Sequence, residues 1–347
     1  MANLKQKSNS TTILLAVLVV GALGVGFMAF RMVGKKALDS STGTNTGGTN
    51  AGSAGGDATA PNITSSDAAL NAVQDLKRDR QWPKAQALLE AAIQKDATNQ
   101  SLYVELAEVL VGLEQFPKAY ENYEKALAIG PREGELEFAA ATCANAAERL
   151  DRAVEHYQAA EAALKNDYRP PLYLAQVLIK LNRFDEAKVR LRRVQMMKPD
   201  EAIAHGTMGE IFLRENLPDL AIQTVAEARR LQPDYLTWRL VEARARKRKG
   251  QAQEALELLT TLPDAQKLEP GVLPLMGECF GILRRPADAA TTFGALSDQF
   301  PQQGDLALET ALWFERAGQK AMGKPYAGRA KMLAVSGAAE VLARLDE

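Results

Sequence analysis

Small and large apolar residues recur along this chain at a fixed interval. An alanine occupies each of seven equally spaced positions: Ala85, Ala119, Ala153, Ala187, Ala221, Ala255 and Ala289. This period of ~34 residues is typical of stacked helical hairpins, because one hairpin is too small to bury its apolar face alone. We therefore predict an array of helix pairs rather than a domain built around a catalytic pocket.

Within one period, apolar residues fall at intervals of three and four, which predicts two helices. The copy that begins at Tyr103 places them at Leu106, Ala107, Leu110, Ala119, Tyr123 and Ala126. Small residues at the middle of the first helix and the start of the second allow two antiparallel helices to cross closely. Prolines follow the second helix in several copies, at Pro131, Pro199, Pro233 and Pro301, and they predict its end.

This pattern resembles the tetratricopeptide repeat. The resemblance implies an all-α, right-handed superhelical solenoid of about eight helix hairpins. We place the solenoid at residues 67–337 and the end of a C-terminal capping helix at residues 338–347. Such repeats serve many unrelated assemblies, so the resemblance carries fold information but does not select a function.

Two copies depart from the pattern. In the copy that begins near Leu236, charged residues occupy three places expected to be apolar: Arg239, Glu242 and Arg246. We expect Trp238, Val241 and Ala245 to supply its inward face through a shift of one residue. In the copy that begins near Gly304, Gly323 replaces the recurring alanine.

The front of the chain has a different composition. Residues 13–30 are an unbroken run of 18 apolar or glycine residues, which at ~1.5 Å per residue spans one hydrocarbon core. We predict a short polar head at residues 1–10, an uncleaved transmembrane anchor helix at residues 11–32 and a flexible Gly/Ser/Thr/Asn linker at residues 33–66. A cleaved signal peptide is disfavoured because the run is longer than a usual signal core and the candidate cleavage triplets lie inside it.

The orientation of this anchor is less constrained than its position. Lys5 and Lys7 precede the apolar run, and Arg31, Lys35 and Lys36 follow it, so the positive-inside rule is nearly balanced. A short head before a long domain favours repeats outside the cytoplasm, in a single-pass protein of a bacterial inner membrane. The opposite orientation stays open.

No constellation of residues indicates catalysis, a metal or a cofactor. The two cysteines, Cys143 and Cys279, are separated by four whole repeats, so we expect buried thiols and no disulfide. The two histidines, His156 and His205, lie in different repeats without metal-ligand spacing. We therefore predict that the protein is not an enzyme. A net charge of −1 also argues against a nucleic-acid partner.

The remaining chemistry is recognition of a protein or peptide partner. First helices of such hairpins line the concave groove, and the lysines and asparagines that hold a peptide carboxylate in known arrays are missing from the leading repeats here. A basic cluster of six residues in eleven, from Arg239 to Lys249, is the main charged feature. It fits either a solvated helix end or a site for an acidic ligand. We place the candidate partner-binding surface at Gln176, Lys180, Glu210, Arg214, Arg244, Lys247 and Arg248.

Together these features predict a membrane-anchored repeat scaffold that docks a protein or peptide partner, in bacterial envelope assembly or as a chaperone or assembly adaptor. An alternative is a non-catalytic regulatory subunit of a membrane enzyme complex for envelope polysaccharide or lipid synthesis. Open repeat arrays also stack end to end, so the oligomeric state stays open.

Overall fold

The computed structural model of the protein describes residues 65–347. These residues form eighteen helices and no strand. The first eight are α1 (Ser66–Arg78), α2 (Trp82–Lys95), α3 (Gln100–Gly112), α4 (Phe116–Ile129), α5 (Gly134–Ala146), α6 (Leu150–Ala163), α7 (Arg169–Lys180) and α8 (Phe184–Met197). The others are α9 (Ala202–Arg214), α10 (Pro218–Leu231), α11 (Leu236–Arg248), α12 (Ala252–Thr260), α13 (Asp264–Lys267), α14 (Val272–Ile282), α15 (Pro286–Gln299), α16 (Gly304–Arg316), α17 (Lys320–Met332) and α18 (Ala338–Asp346).

The predicted head at residues 1–10, the anchor at residues 11–32 and nearly all of the linker at residues 33–66 lie outside the described residues. Among the helices from Ser66 onward, each falls short of the length and apolarity needed to cross a bilayer.

Eight helix pairs follow one another along the described chain, which confirms the predicted hairpin array. Their second helices begin at the same constant interval as the recurring alanines, at Trp82, Phe116, Leu150, Phe184, Pro218, Ala252, Pro286 and Lys320. A proline stands at the start of four of them, where its missing N–H is not needed by the helix. The last helix, α18, buries Val341 and Leu345 against the final hairpin.

The chain divides into two compact units, with the boundary between Arg190 and Leu191 inside α8. In the first unit, the core is built from fully buried leucines and tyrosines such as Leu102, Tyr123 and Tyr157. In the second unit, a large cluster surrounds Leu259 and Phe293, and smaller ones surround Val225 and Ala327. Each unit therefore has its own apolar core.

The recurring alanines have the steric role that their spacing predicts. All seven are fully buried. Where a first helix carries glycine instead of a larger residue, the space is equally restricted. A Cβ atom added at Gly209 would lie 3.2 Å from the Cβ of Val225 and 3.3 Å from the carbonyl oxygen of Ala221. The helices of a hairpin can approach closely only with small residues at these points.

The irregular helix α11 shows the predicted shift of one residue. Trp238, Val241 and Ala245 are buried and form its inward face. Glu242, which occupies an expected apolar place, is also buried, with 5 % of its side chain exposed. It is ion-paired with Arg229 of α10 and, at 2.7 Å, with Arg246 of its own helix. These pairs satisfy a carboxylate that would otherwise be costly to bury.

Gly323 has a steric explanation as well. A Cβ atom there would lie 3.0 Å from the Cβ of Phe314 and 3.3 Å from both the carbonyl oxygen of Ala311 and a methyl group of Leu345. The first helix α16 and the capping helix α18 therefore together restrict the space for an alanine side chain at this position.

One hairpin breaks the regular helix length. α12 ends at Thr260 after nine residues, whereas the other second helices have thirteen or fourteen. Pro263 disfavours helical geometry in the residue before it, so the chain leaves the helix and Leu262 turns into the core instead. The short helix α13 then precedes α14, which begins after Gly271 in a left-handed conformation.

The turn inside each hairpin uses the same backbone motif. The residue after the first helix and its cap has positive φ in all eight hairpins: Arg80, Glu114, Glu148, Asn182, Asn216, Gly250, Arg284 and Gly318. In the second hairpin, Glu114 N–H donates to Val111 and Gln115 N–H to Leu110, the paired bonds of a Schellman motif. These turns keep the period of the repeat although half of their central residues are neither glycine nor asparagine.

Candidate partner-binding surface

The predicted surface residues divide between the two units. Gln176 and Lys180 lie on α7 of the first unit, where Gln176 is half-buried and Lys180 is exposed. The ammonium of Lys180 donates a hydrogen bond of 2.9 Å to the side-chain oxygen of Asn145 on α5. The other five residues lie on α9 and α11 of the second unit. That all seven line one groove stays a prediction.

In the second unit, the predicted residues form a connected charged surface on the first helices. On α9, Arg214 is ion-paired with Glu210 at 2.7 Å. On α11, Lys247 is ion-paired with Glu278 of α14, and Arg248 donates to the backbone carbonyl of Leu213. We call this set, which comprises Glu210, Arg214, Arg244, Lys247, Arg248 and Glu278, the charged surface.

Arg244 differs from its neighbours in having no partner among the residues that the structure describes. Within residues 65–347 it makes neither a hydrogen bond nor an ion pair, although Glu210 and Glu278 are close enough to attract it. Burial lowers the pKa of Arg244, and the nearby charge of Arg248 lowers it further, while the two glutamates oppose this effect. Within residues 65–347 none of the five N–H donors of this half-buried guanidinium is used in a hydrogen bond.

The other members of the basic cluster point elsewhere. Arg246 is bound to Glu242 and Glu254 at 2.7 and 2.8 Å. Lys249 is ion-paired with Asp219 at 2.6 Å, and Arg239 reaches only the carbonyl of Pro233. The run of six basic residues is therefore not one patch, because a helix distributes consecutive residues over all of its faces.

Glu278 belongs to the charged surface but was not predicted. It follows Arg244 by one period of the repeat, and Ile282 and Arg316 follow Arg248 by one and two periods. That period was therefore a sufficient signal to find them. Ile282 is 54 % exposed at the end of α14, and the guanidinium of Arg316 lies over the ring of Trp313 at 4.7 Å.

The first helices of the first unit also carry a charged cluster, but in this cluster the base is paired with acids, unlike Arg244. The ammonium of Lys77 is ion-paired with Glu105 at 2.8 Å and with Glu108. Burial lowers the pKa of Lys77, but the two carboxylates outweigh burial and raise it overall. Gln74 also donates to Glu105 at 2.8 Å. Here two acids surround one base, and the base is fully satisfied.

Second helices of the first unit border a shallow depression of about 410 Å³. Its lining combines both charge signs with one aromatic ring: Tyr120, Glu121, Glu124, Lys125, Arg149 and Arg152. Arg149 is paired with Glu121 at 3.0 Å and lies over the ring of Tyr120 at 5.0 Å. The arginine is thereby already engaged.

The two histidines have structural environments. His156 is buried beside this depression, with Nδ1 2.7 Å from Glu137 and Nε2 3.0 Å from Glu124. The contact between His156 Nε2 and Glu124 lacks hydrogen-bond geometry. His205 Nε2 lies 2.9 Å from the carbonyl oxygen of Pro199 and fixes the end of the preceding helix.

Neither cysteine is placed for nucleophilic chemistry. Both are buried, and burial raises the pKa of Cys143 to about 12 and that of Cys279 to about 11. Such thiols stay protonated, whereas the reactive species is the thiolate. Among residues 65–347, no three His, Cys, Asp or Glu side chains are grouped to hold a metal ion.

Comparisons with known proteins agree with this architecture. Residues 104–168 and 144–211 each match a family model described as tetratricopeptide repeat. No curated protein shows significant similarity to the chain.

Solved structures with the same fold are distant in sequence. A tetratricopeptide repeat protein from Parabacteroides merdae is 13 % identical with a TM-score of 0.55, over 72 % of this chain and 99 % of that one. The Cut9–Hcn1 hetero-tetramer of APC/C is 12 % identical with a TM-score of 0.51, over 82 % and 56 %. PilW, a type IV pilus biogenesis factor, is 19 % identical with a TM-score of 0.50, over 60 % and 97 %. Residues 104–211 thus carry tetratricopeptide repeats, and the hairpins before and after them keep the same spacing.

Proposed function

We propose that this protein is a membrane-anchored scaffold whose second unit docks an acidic segment of a protein partner on the charged surface. The observation that carries the proposal is Arg244, a half-buried guanidinium without a hydrogen bond or ion pair within residues 65–347, next to Arg248. A carboxylate placed between them would receive charge-assisted hydrogen bonds, which are the strong ones in proteins.

The membrane part of the proposal is supported by the sequence alone. The apolar run at residues 13–30 is long enough for one bilayer crossing. With residues 11–32 in a membrane and the repeats on a linker beyond it, a bound partner would be concentrated near the bilayer. We propose a bacterial inner membrane with the repeats outside the cytoplasm, and nucleic acid is not among the proposed partners.

A scaffold of this kind would suit a role in envelope assembly or as an assembly adaptor. Among proteins of similar fold, PilW is a pilus biogenesis factor and Cut9 assembles with Hcn1. At these sequence identities the likeness concerns the fold alone, so the partner must be found by experiment.

The test of partner binding uses full-length protein in detergent and three fluorescein-labelled peptides of equal length. The peptides have the same Ser/Thr background and carry four Glu, four Gln or four Lys residues. We expect anisotropy to detect binding of the Glu peptide alone. Its affinity should fall steeply as salt is added, since the proposed attraction is between charges. Equal binding of all three peptides, or of none, would contradict the proposal.

The anchor is tested separately. Membranes from expressing cells are washed at high pH, and intact cells and spheroplasts are then treated with protease. We expect the protein to stay in the membrane fraction and to be cleaved only when the outer barrier is opened. Release by the wash would refute the anchor, and protection in spheroplasts would reverse the orientation.

A further inference from the structure

The second unit contains an unpaired acid as well as the unpaired base Arg244. Glu309 lies on the first helix α16, where its side chain is exposed. Within residues 65–347 it makes no ion pair, and its hydrogen bond comes from the indole N–H of Trp313 on the same helix. The fold therefore gives this carboxylate one neutral donor and no basic partner.

The indole that binds Glu309 is itself held in place. Trp313 stacks on Phe293, with ring centroids 6.0 Å apart and an angle of 6° between the planes. Its ring also lies against α14, since a Cβ atom added at Gly281 would be 2.7 Å from it. Because α16 contacts α14 through this ring, Glu309 has a defined position beside α14.

Arg244 approaches α14 from the preceding first helix, α11. A Cβ atom added at Gly271, just before α14, would lie 3.0 Å from Nη2 of Arg244. Desolvation lowers the pKa of Arg244 and raises that of Glu309, and the nearby carboxylate of Glu278 acts to raise both. Glu278 of α14 therefore lies near both groups, while its own ion pair is with Lys247.

The surroundings of Glu309 favour a cation at its carboxylate. Glu278 carries the same charge, and it affects the pKa of Glu309 more than the opposite charge of Arg316 does. The guanidinium of Arg316 lies over the ring of Trp313 at 4.7 Å and forms no ion pair with Glu309. An ammonium group of a partner at Glu309 would donate a charge-assisted hydrogen bond and relieve the repulsion between the two carboxylates.

We infer that the docked segment carries a basic residue for Glu309 in addition to the acidic residue for Arg244. The inference rests on the proposed docking at the charged surface and specifies the charge pattern of the partner. It is argued from charge complementarity at two groups of opposite sign, both of which the fold leaves without an ion pair within residues 65–347.

The geometry also sets the distance between these two residues of the partner. Arg244 reaches the start of α14, and Glu309 lies on α16, which contacts α14 through Trp313. Contacting helices lie about 8–10 Å apart, and an extended peptide advances about 3.3 Å per residue. The basic residue should therefore stand about three residues from the acidic one.

Three labelled peptides test this pattern with full-length protein in detergent. The first is Ser-Lys-Ser-Thr-Glu-Glu-Thr-Ser-Lys-Ser, which offers a Lys three residues from a Glu in either orientation. The second replaces both Lys residues with Gln, and the third has the composition of the first with both Lys residues next to the Glu pair. We expect the first to bind about three- to fivefold more tightly than the second, the upper range for an exposed ion pair. The third should show no such advantage.

The sign of this difference distinguishes a defined site from general attraction. Bases outnumber acids on the charged surface, so attraction by net charge alone would favour the more negative Gln peptide. Tighter binding of the first peptide therefore requires a carboxylate at the right distance from the bound Glu.

Substitution shows whether Glu309 is that carboxylate. Glu309→Gln should remove the advantage of Lys over Gln without weakening the Gln peptide, because the surface loses only a negative charge. Glu257→Gln is the matched control, since it removes the same charge from an exposed position on the second helix α12 of the same unit. It should leave the advantage intact. Circular dichroism is used to check that both variants fold.

The outcomes separate this inference from the proposed function. If the Gln peptide binds in a salt-dependent way and the first peptide binds no more tightly, the charged surface is upheld and the role of Glu309 is refuted. The same conclusion follows if the third peptide matches the first, or if Glu309→Gln keeps the advantage of Lys. If none of the three peptides binds, both proposals fail.

Discussion

The two units present different chemistry at equivalent positions of the same repeat. In the first unit, two first helices end in the small residues Gly112 and Ala146 and two end in the basic residues Arg78 and Lys180. In the second unit, three of the four first helices end in arginine, at Arg214, Arg248 and Arg316. Packing positions do not differ in this way, since the recurring alanines are fully buried in both units. Packing therefore constrains the buried half of each repeat, and the exposed half is free to carry recognition.

Charge balance distinguishes the units further. In the first, Lys77 is shared by two glutamates. In the second, Arg244 lies near two glutamates that are already paired with Arg214 and Lys247. One base is thus satisfied and the other is not, although both stand among acids. In the second unit more bases compete for each acid than in the first. This makes the second unit the better candidate for binding an anionic ligand.

The largest effect should come from the most deeply buried carboxylate of each unit among residues 65–347. Glu137 is 2 % exposed and lies 2.6 Å from Arg132 and 2.7 Å from His156; Glu242 is its counterpart in the second unit. Glu137→Ala and Glu242→Ala should each cost about 3 kcal/mol, because removing the carboxylate leaves its buried or half-buried partners unpaired: His156 in the first case, Arg229 and Arg246 in the second. Hydrogen exchange measured by mass spectrometry should show faster local opening by about a hundredfold or more, confined to the unit that carries the substitution.

Glu254→Ala is the control for that measurement. Glu254 pairs with Arg246 but its side chain is 45 % exposed, so the loss should stay within about 0.5 kcal/mol. Equal effects of Glu242→Ala and Glu254→Ala would show that burial of Glu242 contributes nothing.

The second largest effect concerns binding. Arg244→Ala should weaken binding of the four-Glu peptide by about one to two orders of magnitude, because a charge-assisted hydrogen bond contributes ~1.5–3 kcal/mol. Arg230→Ala removes the same charge from the second helix α10, where Arg230 is 67 % exposed and paired with Glu227. It should change affinity less than twofold in the same anisotropy titration. A similar loss in both variants would indicate attraction by net charge without a defined site.

A smaller effect should distinguish the hairpin turns of the two units. Glu114 in the first unit and Gly250 in the second occupy the same turn position, with φ of 58° and 85°. A left-handed conformation costs a residue with a side chain about 1 kcal/mol relative to glycine. Glu114→Gly should therefore stabilise the protein by up to that amount and Gly250→Ala should destabilise it similarly. Nothing lies within 4 Å of the Cβ position at Gly250, so the expected change is conformational. Denaturant unfolding of both variants, each compared with wild type, provides the test.

The smallest effect concerns pH. Glu309 in the second unit is exposed at the surface, but partial desolvation by its neighbours raises its pKa, and nearby Glu278 raises it further, while a hydrogen bond from Trp313 and the charge of Arg316 oppose the rise. A carboxyl group whose pKa is higher in the folded state loses stability as pH rises from its unfolded value of 4.5 through the folded one. Glu309→Gln should accordingly raise Tm at pH 7, and the difference should disappear below pH 4.5.

For Lys77 of the first unit, the expected change in Tm at pH 7 has the opposite sign. Its pKa is also raised, but for a base this means stability that is present below the unfolded value of 10.5 and is lost as pH rises through the folded value. Lys77→Met should therefore lower Tm at pH 7. The decrease should be smaller once the pH exceeds the folded-state pKa of Lys77. If Glu309→Gln and Lys77→Met shift Tm at pH 7 in the same direction, one of these two assignments is wrong.

The sequence by itself determined the hairpin array and most of its boundaries. A stack of helix pairs needs small residues wherever two helices cross, and that need recurs once per hairpin, so it leaves a period in the chain. The one-residue change of register in α11, which places Trp238, Val241 and Ala245 on its inward face, was also predictable. Apolar residues on one helix face are recognisable even among charged residues. The period likewise contained Ile282 and Arg316, at fixed offsets from the residues that were predicted.

Only the tertiary structure decided which charges are free. Arg244 and Lys247 look alike in sequence, yet Lys247 reaches Glu278 on the next first helix and Arg244 reaches no partner within residues 65–347. The fold also decided that Glu242 is buried between two arginines and that α16 and α18 together crowd the side-chain position at Gly323. Residues far apart in the chain create each of these environments, so local patterns of apolar and polar residues carry no record of them.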